Sequence, residues 1–211
     1  MIMNRVMDKI IGELYAGSCR LDDFIGLGCL IKYNEPIDEN RSTCKKIEDA
    51  QSYYLTTTDN RIELLAAIYG LQSVIDNIVS QELKLDQVNF YTTSKYLYNA
   101  FSRRWIHKWK ANNWMKSGWN GLPPRPIKNS DLWEQLIICK EKLEQMGVDL
   151  LLHFVPNPSS ANYRVECINK ANQLAHKAAE EAFNMKEEYY DKLFYELYGD
   201  ILNNPDWLYS T

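Results

Sequence analysis

The first third of the chain alternates apolar runs with polar segments at the spacing of β-strands. Apolar runs at residues 11–19 and 25–33, separated by a polar turn, predict a β-hairpin. Residues 44–50 are rich in charge and are expected to form a connection, and residues 51–57 a third strand.

From Asp59 onward the apolar spacing becomes helical, with Leu64, Ile68 and Leu71 on one face and Asp59 or Asn60 placed to cap the first turn. The later predicted elements are a strand at 88–92, helices at 94–101 and 104–112, a Gly/Pro-rich loop at 116–127, a helix at 131–146 ended by Gly147, a strand at 148–155 and a helix at 163–183. This order of strands and helices predicts an α/β fold with a mixed sheet covered by helices on both faces.

The charge of the chain is unevenly distributed although its net value is only −4. Eight basic residues and no acidic residue lie between 95 and 130: Lys95, Arg103, Arg104, Lys108, Lys110, Lys116, Arg125 and Lys128. Residues 180–211 carry eight acidic residues against two lysines. A polyanion is therefore expected to meet one basic face of the protein, not its average surface.

The cysteines and the hydropathy favour an intracellular protein without a membrane span. The five cysteines form no CxxC pair, and only three histidines are present, so a zinc site is not expected. We expect the thiols to be reduced and the protein to be cytoplasmic or nuclear. No apolar run approaches the roughly 18 residues that a membrane span needs, and the first ten residues lack a signal-peptide core.

Four segments, taken in order, resemble the motifs of type 1 ribonuclease H. These segments are YAGSC at 15–19, TTDNRIELLAAI at 57–68, WIHKWKANNW followed by PIKNSDLWEQL between 105 and 136, and NKANQLAHKAA at 169–179. The resemblance implies a ribonuclease H-like fold with a central five-stranded sheet. It also implies hydrolysis of the RNA strand of an RNA–DNA hybrid by two Mg²⁺ ions held by a group of carboxylates.

The resemblance also shows that the expected catalytic centre is degenerate. The first-strand aspartate of the family falls on Ala16, the aspartate after the fourth strand on Thr93, and the last-helix aspartate on Asn172, whereas the helix glutamate is kept as Glu63. The family's mobile histidine falls on Pro158. Since one carboxylate cannot hold two divalent ions about 4 Å apart, the sequence predicts a pseudoenzyme with no metal cofactor.

Two alternatives concern the acidic residues near these motifs. Asp22, Asp23, Asp59 and Glu166 could form a displaced Mg²⁺ site in an active enzyme, although turn and helix-cap roles are favoured for the first three. Glu63 is expected to serve as a polar residue satisfied by Ser18 or Thr93 and not as a metal ligand.

The basic, tryptophan-rich segment predicts binding of RNA–DNA hybrid or double-stranded RNA. Trp105 and Trp133 are expected to pack against the body, whereas Trp114, Trp119 and the cations are expected to contact phosphates. The candidate binding residues are Gly17, Ser18, Asn60, Arg61, Lys95, Arg103, Arg104, Lys108, Lys110, Trp114, Lys116 and Trp119. Lys95 and Asp59 stand where the family has glutamine and asparagine, which puts a preference for hybrid over other duplexes in doubt.

The sequence divides into a domain at 1–180 and an acidic, aromatic extension at 181–211. Aromatic residues between 183 and 207 are too frequent for a disordered tail, and they predict either a helix folded back on the sheet or a docking surface for a protein partner or a second copy. An adaptor that uses the fold as a scaffold is therefore an alternative function.

Overall fold

The computed structural model describes residues 9–38, 41–55, 57–80, 83–118, 123–156 and 162–185. Its centre is a five-stranded sheet with the strand order β3-β2-β1-β4-β7. The strands are β1 (Ile11–Leu21), β2 (Phe24–Asp38), β3 (Arg41–Tyr54), β4 (Gln87–Thr92) and β7 (Asp149–Phe154). β1 to β3 are antiparallel neighbours, whereas β4 pairs in parallel with both β1 and β7, so the sheet is mixed as predicted.

Helices cover both faces of this sheet. They are α1 (Asp59–Val79), α2 (Lys95–Ser102), α3 (Trp105–Ala111), α4 (Ser130–Gln145) and α5 (Tyr163–Asn184). The larger core lies between the sheet and the α1–α4 side, where Leu14, Leu64 and Leu136 are fully buried. α5 packs on the opposite face over Tyr15 and Leu30. The α/β architecture predicted from the pattern is thus confirmed.

Glycines allow α5 to approach the sheet closely. A Cβ atom on Gly17 would lie 2.4 Å from the backbone of Ala171 and Asn172, and one on Gly26 would lie 1.8 Å from the carbonyl oxygen of Ala175. Only glycine fits at these positions, because a backbone cannot move aside as the end of a side chain can. This close contact fixes Asn172 beside the first strand.

Two of the segments predicted to be irregular form strands. Residues 44–50, predicted to be a charged connection, belong to β3, which begins at Arg41 and runs to Tyr54. β3 lies at the edge of the sheet, where charged side chains remain in water while the backbone pairs with β2. The loop predicted at 116–127 contains a short ladder between β5 (Met115–Lys116) and β6 (Arg125–Pro126).

The N-terminus of α1, the C-terminus of α4 and the hydropathy of α1 can be compared with the predictions. The N-cap of α1 is Thr58, with no side-chain cap hydrogen bond, so the cap predicted at Asp59 or Asn60 was wrong. α4 ends as predicted, with Gly147 at a φ of 78°. α1 is long and apolar enough to meet the composition criterion for a membrane span, contrary to expectation, yet half of that window is buried inside the protein, as in a core helix.

Candidate active site and candidate nucleic-acid interface

The four positions that align with the carboxylates of the family lie on β1, on α1, directly after β4 and on α5. Ala16 lies on β1 and packs against the α1 side, while Asn172 lies on α5 on the other face. The Ser18 amide donates a hydrogen bond to Asn172 Oδ1 at 3.2 Å, which links β1 to α5. Thr93 directly follows β4 and is exposed. Pro158 lies outside the described residues.

The Glu63 carboxylate accepts a hydrogen bond from Ser94, a partner that we did not predict. Ser94 Oγ donates to Glu63 Oε2 at 2.5 Å, and the same Oγ accepts the Leu97 amide at 3.2 Å, so Ser94 both caps α2 and ties α1 to it. The expected partners were Ser18 and Thr93. Ser94 was identifiable in the sequence only as an N-cap candidate directly before a helical pattern.

The side chains at these positions do not fit a pair of divalent ions. Glu63 offers one carboxylate, Thr93 one hydroxyl and Asn172 one amide oxygen. The oxygens of Glu63 and Asn172 already accept hydrogen bonds from Ser94 and Ser18. Across the described ranges, no group of three or more His, Cys, Asp or Glu side chains is placed to hold a metal. Two Mg²⁺ ions about 4 Å apart need several carboxylates to hold them and to offset their charge, which this donor set does not supply.

The acidic residues considered for a displaced site have separate positions. Asp22 and Asp23 form the turn between β1 and β2, with Asp22 at a φ of 58°. Asp59 lies 3.3 Å from Arg20 in an exposed ion pair. Glu166 is exposed in the first turn of α5. The turn role expected for Asp22 and Asp23 agrees with their location.

The basic segment presents five exposed cations on and around α2 and α3. Lys95 starts α2, Arg103 and Arg104 follow it, and Lys108 and Lys116 lie on and after α3; all five side chains are exposed. Within the part of the chain that the structure describes, none of these five forms an ion pair with a carboxylate, so their charge is available to an anion.

Two of the predicted binding cations are already engaged. Lys110 lies 3.1 Å from Glu141 of α4. The Arg61 guanidinium donates two hydrogen bonds to the Asp131 carboxylate, at 2.9 and 2.6 Å. Its Nη1 atom also donates to Asn129 Oδ1 at 3.4 Å. The hydrogen bond from Arg61 lowers the pKa of the Asp131 carboxyl. Arg61 therefore joins the start of α1 to the start of α4 and has less capacity for phosphate.

Most of the described tryptophans serve packing. Trp133 is fully buried, its Nε1 donates to the Tyr96 hydroxyl at 3.1 Å, and its ring lies 5.6 Å from that of Trp109. The Trp109 ring is 5.9 Å from Trp105, so the three indoles fix α3 onto α4. This agrees with the packing expected of Trp105 and Trp133.

The other predicted nucleic-acid contacts differ in accessibility. Trp114 is half-buried against the main core, and Trp119 lies outside the described residues. Gly17 is buried beneath α5, Ser18 is half-buried, and Asn60 is exposed in the first turn of α1. The exposed chemistry of this surface is thus mainly cationic and only weakly aromatic.

Comparison with known proteins agrees with this architecture. A family model for RNase H matches residues 16–183. The chain belongs to the RNase H family. The match ends near the last residue of α5, so the domain boundary expected at residue 180 falls inside that helix.

Curated relatives match this RNase H family member over different lengths. Ribonuclease H of Caldanaerobacter subterraneus subsp. tengcongensis is 43% identical over 81 residues, which cover 38% of this chain and 44% of the relative. Ribonuclease H of Psychromonas ingrahamii is 32% identical over 155 residues, which cover 74% of this chain and 80% of the relative. The chain thus spans less than half the length of the first relative and most of the second.

Solved structures share the fold at low sequence identity. LC9-RNase H1, described as a type 1 RNase H with the type 2 active-site motif, matches with a TM-score of 0.59 at 22% identity, covering 83% of this chain and 74% of that chain. A foamy viral protease-reverse transcriptase in complex with dsDNA matches with a TM-score of 0.52 at 13% identity, covering 81% and 94%. At these identities the similarity concerns the fold.

Proposed function

We propose that this RNase H family member binds RNA–DNA hybrid or double-stranded RNA without cleaving it. The observation that carries the proposal is that Ala16, Thr93 and Asn172 occupy positions where the family motifs have carboxylates, whereas only Glu63 keeps one. Without those anions the centre lacks the charge that offsets the dehydration of a divalent ion. Glu63 is also engaged by Ser94, which gives it a structural role.

The exposed cations support binding through the nucleic-acid backbone. Lys95, Arg103, Arg104, Lys108 and Lys116 are exposed on and around α2 and α3, and each phosphate they neutralise releases counterions. Recognition of backbone and 2′-hydroxyls in A-like duplexes needs no metal. The proposal includes an intracellular location, in keeping with five cysteines that are all unpaired.

The test is a titration of the full chain against labelled RNA–DNA hybrid, double-stranded RNA and double-stranded DNA, with binding and cleavage followed together in Mg²⁺. We expect binding without cleavage. The logarithm of the association constant should fall linearly with the logarithm of the salt concentration, with a slope of about −0.9 per phosphate contact. The double reversal Lys108→Glu/Lys116→Glu should weaken binding by roughly tenfold or more and reduce that slope by about 2.

The matched control is Lys170→Glu/Lys177→Glu, which makes the same change of charge on α5, where the two side chains lie 3.6 Å from Glu48 and from Glu181. We expect this variant to bind almost as the parent does. Equal losses in both variants would mean that net charge, and not the basic segment, sets the affinity. No binding of any duplex by the parent chain would contradict the proposed function.

Two alternatives remain testable in the same experiment. The curated relatives are named ribonuclease H, which favours an active enzyme with a rebuilt metal site. That function requires Mg²⁺- or Mn²⁺-dependent cleavage that Glu63→Ala abolishes. The adaptor function requires instead a stable protein partner through residues 183–207, most of which lie outside the described residues, and little affinity for nucleic acid.

A further inference from the structure

A groove separates the edge strand β3 from helix α1, away from the degenerate centre and the basic segment. The sheet extends beyond the helix here, because α1 packs on β1 and β2. The groove has a volume of about 380 Å³. This volume lies within the range of roughly 300–1,000 Å³ that small-molecule sites occupy.

The floor of the groove is apolar and two tyrosines stand at its sides. Leu27 of β2, which is 2% exposed, and Leu65 and Ile68 of α1 form the floor. Tyr53 of β3 is 38% exposed at the rim, and Tyr69 stands on the helix side. The groove therefore offers an apolar surface together with two aromatic rings.

The charge in the groove has one sign. Asp49 of β3 and Asp76 of α1 are exposed and line it from opposite sides, and none of the described residues that line it is Lys, Arg or His. Gln72 Nε2 donates to one oxygen of Asp76 at 2.7 Å and so orients that carboxylate. Burial and the neighbouring Asp49 raise the pKa of the Tyr69 hydroxyl, so the ring stays neutral.

We propose that this groove binds a small organic cation, namely an ammonium or amidinium group joined to an apolar body. The two carboxylates attract the cation, the tyrosine rings offer their negative faces to it, and the leucine and isoleucine floor covers the apolar part. The site is independent of nucleic-acid binding, and each of the two proposals can fail without the other.

The test uses benzamidinium as the probe and the uniformly ¹⁵N-labelled full chain, followed by two-dimensional NMR. We expect saturable shifts confined to the backbone amides around 49–55 and 65–76. Benzamide has nearly the same shape without the charge. We expect its affinity for the groove to be at least about tenfold lower than that of benzamidinium. This comparison needs no variant and is not affected by folding defects.

The variant arm compares two faces of one strand. Asp49→Asn/Asp76→Asn should weaken benzamidinium binding by about tenfold. Glu48→Gln changes a carboxylate that faces Lys46 and Lys170 on the other side of β3, and it should leave the affinity unchanged. Shifts spread over the whole surface, equal affinity for benzamide, or an unaltered double variant would overturn the proposal.

Discussion

At the scale of single residues, the pair Arg61–Asp131 illustrates how a predicted binding residue is used to hold helices together. Its two hydrogen bonds join the first turns of α1 and α4. The Asp131 side chain is 60% exposed, so solvent screens the pair and its contribution to stability is modest. Because the pKa of Asp131 is lowered in the folded chain, this contribution exists above the unfolded-state pKa and is lost as the pH falls through the folded-state value.

We therefore expect Asp131→Asn to lower the free energy of unfolding by roughly 0.5–1 kcal/mol at pH 7. The difference from the parent should vanish in strong acid, where Asp131 of the parent is protonated as well. Urea unfolding followed by circular dichroism at several pH values measures this, and an Arg61→Gln variant completes a double-mutant cycle. A loss of stability that persists at low pH would show that packing, and not the ion pair, was disturbed.

Residue types were predictable at the positions that align with the catalytic residues of the family, but their hydrogen-bond partners were not. The positions of Ala16, Glu63, Thr93 and Asn172 follow from motifs in the sequence. That Glu63 is bound by Ser94 depends on how α1 and α2 approach each other. Such a contact depends on the relative placement of two helices, to which a local sequence pattern has no access.

At the scale of secondary-structure elements, the packing of α5 on the sheet depends on glycine in β1. Gly17→Ala would place a methyl group 2.4 Å from the backbone of Ala171 and Asn172. We expect this overpacking to lower the free energy of unfolding by about 1–3 kcal/mol, measured by urea denaturation. Nucleic-acid binding measured with the same variant tests whether Gly17 affects binding only through its effect on folding.

Gly12→Ala is the matched control, since Gly12 lies in the same strand. The atoms nearest to its new methyl group would belong to the side chain of Leu85, the first at 2.7 Å, and the end of a side chain can rotate away. We expect a smaller loss of stability than for Gly17→Ala. Similar losses in the two variants would mean that α5 is not held as closely as the contacts at Gly17 indicate.

Prediction of elements succeeded where apolar periodicity was strong and failed where the environment decides the structure. The helices α1, α4 and α5 and the strand β4 have such periodicity and were predicted within a few residues. The N-terminal half of β3 carries mostly polar side chains, because it is an edge strand with access to water. Its pairing with β2 is a long-range property that the local pattern does not contain.

At the scale of the whole molecule, charge is divided between regions with different chemistry. Exposed cations lie on and around α2 and α3, whereas the groove between β3 and α1 is acidic. A polyanion and a small cation would therefore approach different surfaces of the same chain. The first of these surfaces was predicted from the run of basic residues, but the second was not, because it combines residues of β3 and α1 that are distant in the sequence.

If the chain lacks catalysis, as proposed, only because carboxylates are missing from an intact fold, restoring them should restore metal-dependent chemistry. We expect Ala16→Asp/Thr93→Asp/Asn172→Asp, in which Glu63 is kept, to bind Mg²⁺ in calorimetry and to cleave RNA–DNA hybrid slowly. The physical reason is that four carboxylates at these positions supply the oxygen ligands and the negative charge that two divalent ions require. Adding Glu63→Gln should abolish the cleavage.

The restored variant is expected to be less stable without metal, because clustered carboxylates repel one another, and to gain stability when Mg²⁺ is added. Circular dichroism without metal first checks that the variant folds. If the folded variant does not bind Mg²⁺, the first explanation to test is that the hydrogen bond from Ser94 holds Glu63 away from the ions. Adding Ser94→Ala to that variant should then release Glu63 and permit metal binding; if it does not, the geometry of the whole centre has diverged along with its ligands.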